Sequence, residues 1–494
     1  MNNRDAYDCT GFLNERLTQD HLTHEYYDLF NVGKYEGAVE NIYHRTFSAL
    51  NKTDDNGPFR ITIVPNNDYI DIRNIRLFIK LSLINNHTKL PINKEDVSVV
   101  NCIATSLFED VSVDINRKQI SELRQEEYPY KCYIETLLSS NINNISALAS
   151  RLFFLDKPGL YQNDAVWDHF SKYEYYNEIP NNVAFESVWL RRRFMSEPKK
   201  NGVFEIITPI HVDCLNAKRY FPPHNEITLN FKRKTNEAFY IKTPIIPIPG
   251  HPAIPANPAT GALAQDEVPE IFFPNFHIKI MDIELIVPFV QLANGLRLQH
   301  DDYFSKGEVV KLPYKKAEVV RKQFGVGLSE LTFDNCITGD IPKKITIVMV
   351  KTVNYEGVYK ISPFIFEHCL MYQLDLRING HLFTGVPLTG KFSEENIALL
   401  YEHFASNLTY PTGIKCLSPA ISITEYVQDY TMFIFDLTPD RCGGFHFHPT
   451  QKGVLDFTFK LERALTESMT MLVFAEYDNV LTINRSGDAN VVII

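Results

Sequence analysis

Long apolar runs are missing from this 494-residue sequence. None approaches the ~18 residues that a helix needs to span a bilayer, so no membrane span is expected. Tryptophan occurs only twice, which leaves little for the aromatic platform of a carbohydrate-binding sandwich. Basic charge is short as well. Lys plus Arg number 49 against 60 Asp plus Glu, a formal charge of −11. That excludes a chain whose main task is to wrap nucleic acid, though not a small basic face. The eight cysteines (Cys9, Cys102, Cys132, Cys214, Cys336, Cys369, Cys416, Cys442) include no CxxC pair, and the opening MNNRDAYDCT has no apolar h-region. Free thiols in a reducing compartment and no secretory signal are expected, so the five N-x-S/T sequons carry no weight. Catalytic signatures are absent too: there is no GxxxxGK[ST], GxSxG or HExxH, and GVGLSE (325–330) has only two of the glycines of a dinucleotide loop.

What is present is β structure, twice. The length exceeds one compact core, and aromatics at 12%, with 34 Phe and 25 Tyr, favour strands. In IRLFIKLSL (75–83) apolar residues fall on every second position, and ITLNFK (227–232), HIKI (277–280), ITIVMV (345–350), MFIFDL (432–437), VLDFTFKL (454–461) and MTMLVFAEY (469–477) carry similar signals. Strands with turns between them predict sandwiches or barrels. DVSVDINRKQI (110–120) and DLRINGHLF (375–383) both read as strand, turn, strand, with Asn379-Gly380 suited to a type I′ turn. Each precedes one amphipathic helix, over 130–139 and 394–405, the second with Ser393 as N-cap. The offset, Ile115 to Ile378, is 263 residues; between Thr208-Pro209 and Thr438-Pro439 it is 230. A duplicated unit follows, its first copy carrying a roughly 30-residue insertion after the helix. The expected division is a polar arm (1–45), a first domain (46–243), a Pro-rich linker or loop (244–270) and a second domain (271–494).

Three clusters invite a chemical reading. His446 and His448 in CGGFHFHP (442–449) would share a strand face as metal ligands do, but the glutamate of a cupin site does not follow; HVDC (211–214) has the same weakness. No metal or cofactor site is assigned. Arg191-Arg192-Arg193 and Lys232-Arg233-Lys234 read either as a nucleic-acid-facing patch or import signal, or as solvated strand ends.

The same residues resemble the double jelly-roll major capsid proteins of Polinton/Maverick elements and adintoviruses, and more distantly those of virophages and large DNA viruses. The resemblance runs through YYDLFNV (26–32), FRITIVPNNDYIDIRNIRLFIKLSLI (59–84), SLFEDVSVDIN (106–116), YPYKCYIETLL (128–138), PNFHIKIMDIELIV (274–287) as the start of a second roll, and GDIPKKITIVMV (339–350). It continues through SPFIFEH (362–368), with Ser362 for the usual Asn, to LTPD (437–440) and VLDFTFKLERAL (454–465). It implies an all-β chain of two eight-stranded sandwiches with one short helix per roll. It also implies a homotrimeric capsomer of an icosahedral shell, a single jelly-roll penton partner, minor or cement proteins, and a place in the virion after assembly inside a host cell, nucleus or cytoplasm. It transfers no catalytic residue, cofactor, metal or specific nucleic-acid site. The alternatives are a jelly-roll enzyme, either a glycan amidase or cupin-like, and a carbohydrate-binding module.

Overall fold

The computed structural model describes residues 37–51, 57–85, 89–90, 97–121, 127–140, 145–157, 186–196, 202–243, 276–408, 420–439, 441, 447–485 and 487–493. The first half contributes β1 (Val39–Ser48), β2 (Phe59–Ile63), β3 (Arg76–Asn85), β4 (Phe108–Ile115), β5 (Lys118–Ser121), β6 (Val203–Pro209), β7 (Ile227–Arg233) and β8 (Phe276–Leu292). They pair as two facing sheets, β1-β8-β3-β6 and β2-β7-β4-β5. The second half contributes β9 (Val310–Phe324), β10 (Glu330–Asp340), β11 (Lys344–Lys351), β12 (Met371–Ile378), β13 (His381–Leu382), β14 (Met432–Asp436), β15 (Lys452–Leu461) and β16 (Met469–Ile483). Their order is β9-β16-β11-β14 and β10-β15-β12-β13, the same permutation. Each half is therefore a jelly roll. A further strand, β17 (Ala489–Ile493), pairs with β16.

Period-two alternation builds both sandwiches. Leu77, Ile79, Leu81 and Leu83 of β3 are buried, as are Val111, Val113 and Ile115 of β4, which lie opposite Phe231, Leu229 and Ile227. In β8 the parity changes. Phe276, Ile278 and Ile280 are buried, then Ile283, Leu285, Val287 and Phe289, and the ladder slips between Ile280 and Asp282. This bulge keeps two apolar sets of opposite parity on one face and turns Met281 outward. One contiguous apolar core runs through both halves.

One edge of each β1- or β9-type sheet is sealed. The short helix Ile145–Arg151 and α2 (Glu186–Ser196) pack on β6, and α4 (Ala398–Ser406) packs on β14, where the His403 ring lies 4.8 Å from Phe435. The opposite edge of the second sheet, β9, carries Pro313 and the exposed Lys311, Lys315, Glu318 and Arg321. Proline and charge there blunt edge-to-edge pairing.

The second sequence echo also lands on equivalent positions: Thr208-Pro209 closes β6 and Thr438-Pro439 follows β14. The extra length of the first copy lies between α1 (Tyr128–Leu138) and β6. Several boundaries differ from expectation. Residues 39–45, assigned to the arm, are strand; β1 is held by its ladder to β8 rather than by a buried face, so its side chains look polar. A second roll opening at residue 271 is revised, because 276–292 pairs with β1 and β3 of the first half, and α3 (Asn294–Ser305) carries the chain to β9. The rolls also hold more than one helix each: the first has α2 as well as α1, and in the second α5 (Ile423–Gln428) follows α4. Ser393 does not cap α4. Its hydroxyl donates to Glu462 Oε2 (2.5 Å), Glu395 takes a left-handed φ of 54°, and the helix begins at Ala398. The linker 244–270 lies outside the described residues.

The two copies of the β-turn differ by one residue type. Asn379-Gly380 has φ of 52° and 79°, and Asn116-Arg117 has 48° and 68°. A left-handed non-glycine costs about 1–2 kcal/mol, part of which glycine's unfolded-state entropy offsets. Arg117→Gly is therefore expected to stabilise the chain by ~0.5–1 kcal/mol and Gly380→Ala to destabilise it by about 1 kcal/mol, read from denaturant midpoints.

Candidate functional site

The most constructed region is the seam between the rolls. Helix α1, read from YPYKCYIETLL, has Pro129 in its first turn and nearly every side chain buried. Tyr133 stacks on Phe364 of the second roll at 4.2 Å between centroids, and Tyr130 stacks on Tyr355 at 5.4 Å and meets Phe364 edge-on. Offset and T-shaped pairs of this kind add about 0.5–1.5 kcal/mol each beyond area burial. The Tyr130 hydroxyl donates to Pro363 O (3.2 Å). Backbones close in behind the rings: Gly357 has φ of 106°, and a Cβ there would lie 2.9 Å from the Phe239 backbone. Fully buried Lys242 donates to the carbonyls of Ala238 (2.7 Å) and Val358 (2.6 Å), one from each roll, and burial pushes its pKa well below the ordinary lysine value. At the far side Asn116 Nδ2 donates to Gly487 O (2.6 Å) and Lys118 to Asn490 (2.6 Å), so the C-terminal hairpin clasps the first roll's turn.

An ionic knot sits in the seam. The buried Lys131 ammonium contacts the Asp213 carboxylate, with Glu135 at 3.7 Å, and His211 Nδ1 lies 2.7 Å from Glu135. Asp213 also accepts from the Ala317 amide of β9 (3.0 Å), so the knot ties the two rolls. Burial alone would lower the Lys131 pKa, but Asp213 and Glu135 raise it, so the amine stays charged. Burial pushes Glu135 up, and the Lys131 ammonium and the His211 hydrogen bond more than reverse this, holding it below the usual carboxylate value.

The sequence candidates find other roles. HVDC supplies two members of the knot, His211 and Asp213, and Cys214 is a core thiol pushed up to about 12 by burial. His446 lies outside the described residues. The carbonyls of His448 and Pro449 accept from Lys343 (2.8 and 3.0 Å) in a segment without strand structure. Among the described residues no group of three His, Cys, Asp or Glu side chains is placed to hold a metal. At Arg191 and Arg192 the arginine run is neither a surface patch nor a solvated strand end. It lies on α2, where fully buried Arg191 donates to Val99 O (2.9 Å), Asn101 Oδ1 (2.8 Å) and Asp156 Oδ1 (2.8 Å), and Arg192 donates to Val97 O. The Arg193 side chain lies outside the described residues. In the second cluster, Lys232 pairs with Glu109, Arg233 is buried and donates to Ile278 O (2.5 Å), and Lys234 stands 4.5 Å above the Phe239 ring. Sequence reasoning missed the whole seam; its one visible trace was the tyrosine-rich helix YPYKCYIETLL, read as amphipathic but buried on nearly every side.

A cleft of about 370 Å³ opens where the rolls meet, between Glu109, Lys234 and Asn236 on one side and Arg321, Tyr355 and Glu356 on the other. Its charges balance, Arg321 is spent on the Tyr355 hydroxyl (2.8 Å), and no nucleophile with a base stands in it. Among the described residues no helix is long and apolar enough to cross a membrane.

No family model matches the chain. An uncharacterized protein of Caenorhabditis elegans is 18% identical over 459 residues, covering 90% of this chain and 96% of its own length. Among solved structures, a chain of the Sputnik virophage determined by cryo-EM superposes with a TM-score of 0.60 at 14% identity, covering 96% of this chain and 92% of that one. A chain of the PBCV-1 virus capsid superposes with a TM-score of 0.51 at 10% identity, covering 94% and 99%. At such identities the likeness is one of fold, and the fold is the double jelly roll.

Removing one partner of the knot leaves a buried charge. Lys131→Met is expected to cost about 3–5 kcal/mol in denaturant unfolding, and Lys131→Met with Asp213→Leu to recover more than half of it. The acid limb follows from Glu135. A carboxylate held below its ordinary value of 4.5 contributes stability that is present above that pH and is lost as pH falls through the folded value. Glu135→Gln is therefore expected to flatten the decline in melting temperature below about pH 4.5.

Proposed function

We propose that this chain is the major capsid protein of an icosahedral DNA-virus shell, of the Polinton/Maverick and adintovirus kind, building the shell from homotrimeric, pseudo-hexagonal capsomers. The observation that carries the reading is the duplication: two rolls of identical strand order, locked by a seam that includes buried ions, aromatic stacking and a backbone approach only glycine permits. A rigid pair of like bodies gives a threefold assembly roughly six equivalent corners, which tile a hexagonal lattice. Fivefold vertices then need a different, single-roll penton partner. Cyclic C3 contacts are heterologous, so the surfaces that meet must differ. The rolls supply such a difference, because the first has the long insertion before β6 and the second has a much shorter connection at the equivalent place before β14. We divide the chain into a first roll closing on β8 and a second opening on β9.

Support comes from the two viral structures of the same fold, each covered over more than nine-tenths of its length. The protein acts in the virion and is not an enzyme. An enzymatic or sugar-binding sandwich has less behind it: the inter-roll cleft lacks a nucleophile with its base, and the HVDC residues are consumed by the knot.

Trimer interfaces of obligate assemblies typically bury more than ~2,000 Å² and survive dilution. Light scattering of the full-length chain at micromolar concentration is expected to give roughly 171 kDa, three chains of 56.9 kDa. A stable monomer would overturn the trimer. The polar segment 1–35 includes Tyr26, Tyr27, Leu29 and Phe30, and we assign it to links between capsomers on the shell's inner side. Its deletion is expected to leave trimers intact and to abolish shells in electron micrographs.

A further inference from the structure

Antiparallel strands put alternate connections at the same end of a sandwich. In the first roll the β2–β3, β4–β5 and β6–β7 connections share one end: Ile63 and Ile115 both lie opposite Ile227, and Arg76 lies opposite Pro209. Strand β9 starts near this end, where Arg219 Nη1 donates to Lys311 O (2.8 Å) across the rolls. The segment Asp213–Asn216 packs between Ile72–Asn74 and β9. The exposed residues of 71–76 and 216–220 are Arg73, Asn74, Asn216, Lys218, Arg219 and Tyr220. Lys311 and Lys315 on β9 are exposed beside them. The cations feel one another. Partial burial, then Arg73 and Lys315, depress the Lys218 pKa. Burial depresses Arg76, Asp71 opposes that, and Arg73 adds to it. Three acids stand near them: Asp71 accepts from the Asn74 amide (2.8 Å) and acts on Arg76, Asp213 belongs to the buried knot, and Asp478 faces Lys315 and Lys343.

The geometry points to this end as a sequence-independent binding surface for the phosphodiester backbone of nucleic acid, formed by Arg73, Lys218, Arg219, Lys311 and Lys315 from both rolls. Like charges gathered on a chain of formal charge −11 are repulsive in isolation, and a polyanion that displaces counterions relieves the repulsion. The exposed residues of the two first-roll segments are polar or cationic, with Tyr220 able to stack, and they offer no aliphatic prong for a bilayer; that favours nucleic acid over a membrane. The shell reading adds only where such nucleic acid would come from, the packaged genome.

Fluorescence anisotropy of the full-length protein with a labelled 30-base-pair DNA duplex tests it. With Asp478 offsetting Lys315, about four phosphates are neutralised, giving a log–log salt slope of about −3 to −4 and an affinity loss of roughly 10²-fold between 50 and 200 mM salt. The variant Arg73→Gln, Lys218→Gln, Lys311→Gln keeps the inter-roll bond of Arg219 and is expected to reduce the slope by about 3 and weaken binding at least tenfold at 50 mM salt, with unchanged thermal unfolding. A variant of equal charge change elsewhere, Lys80→Gln, Lys232→Gln, Lys391→Gln, is expected to bind as the unaltered protein does. Salt-insensitive binding, no binding, or equal loss in both variants overturns the proposal. So does patch-dependent binding confined to phosphatidylserine vesicles, which assigns the surface to a membrane. Patch-dependent DNA binding by a protein that never forms shells upholds this inference while the capsid reading falls.

Discussion

The stack of Tyr133 on Phe364 and the Ala317 amide bound to Asp213 fix the relation of the two rolls, and the rest of the structure depends on that relation. Two sandwiches joined by a flexible tether would present their edges independently. Here the tether is secondary. The rings fill the volume between the sandwiches, the Ala317 amide reaches Asp213 from β9, and Lys242 spans carbonyls of both halves. The ion pair itself lies within the first roll, but any other docking angle would take the Ala317 amide away from the buried Asp213 carboxylate, so the knot makes misdocking expensive. One rigid body of two like halves results.

Duplication then constrains what each copy can vary. The ladders, the strand order and the turn after β4 or β12 are held in common, because a one-residue slip would turn Val111, Val113 and Ile115, or their counterparts, to solvent. Difference collects where the ladders end. The first copy lengthens between α1 and β6, and the second places Pro313 and lysines on the edge strand β9, which the first roll meets at Lys311 and Ala317. Even the shared turn diverges, with Arg117 holding a left-handed conformation that Gly380 adopts without strain.

Legibility in the sequence followed this division. Strands buried on one face announced themselves by period two, and the hairpin at Ile115 and Ile378 and helix α1 were readable because local chemistry and tertiary role agree there. Three features were not. Strand β1 pairs along one edge only, so a backbone ladder holds a stretch whose side chains are mostly exposed. Helix α2 places Val188, Arg191, Arg192 and Met195 inward, so arginine stands at core positions and breaks the apolar stripe. Strand β8 begins beyond the proline-rich segment yet belongs with β1 and β3, a long-range pairing that no local pattern encodes.

Arg191 also changes how the composition should be read. A formal charge of −11 treats every lysine and arginine as part of the surface, yet Lys131, Arg191, Arg192, Arg233, Lys242 and Lys344 are buried. Some of them neutralise interior acids, as Arg191 does Asp156 and Lys131 does Asp213. Others, such as Lys242, serve only carbonyls, and burial drives its amine toward the neutral form. The cations left for solvent are therefore fewer than the count suggests, and they are not spread evenly. An acidic exterior keeps like copies apart until specific contacts form, and a basic cluster at one end then stands out more sharply than on a neutral protein. Net charge gave a sound argument against a chain that wraps nucleic acid over its whole surface, but a charge summed over the chain says nothing about one end of it. That distinction depends on which lysines the core consumes, and the fold decides it.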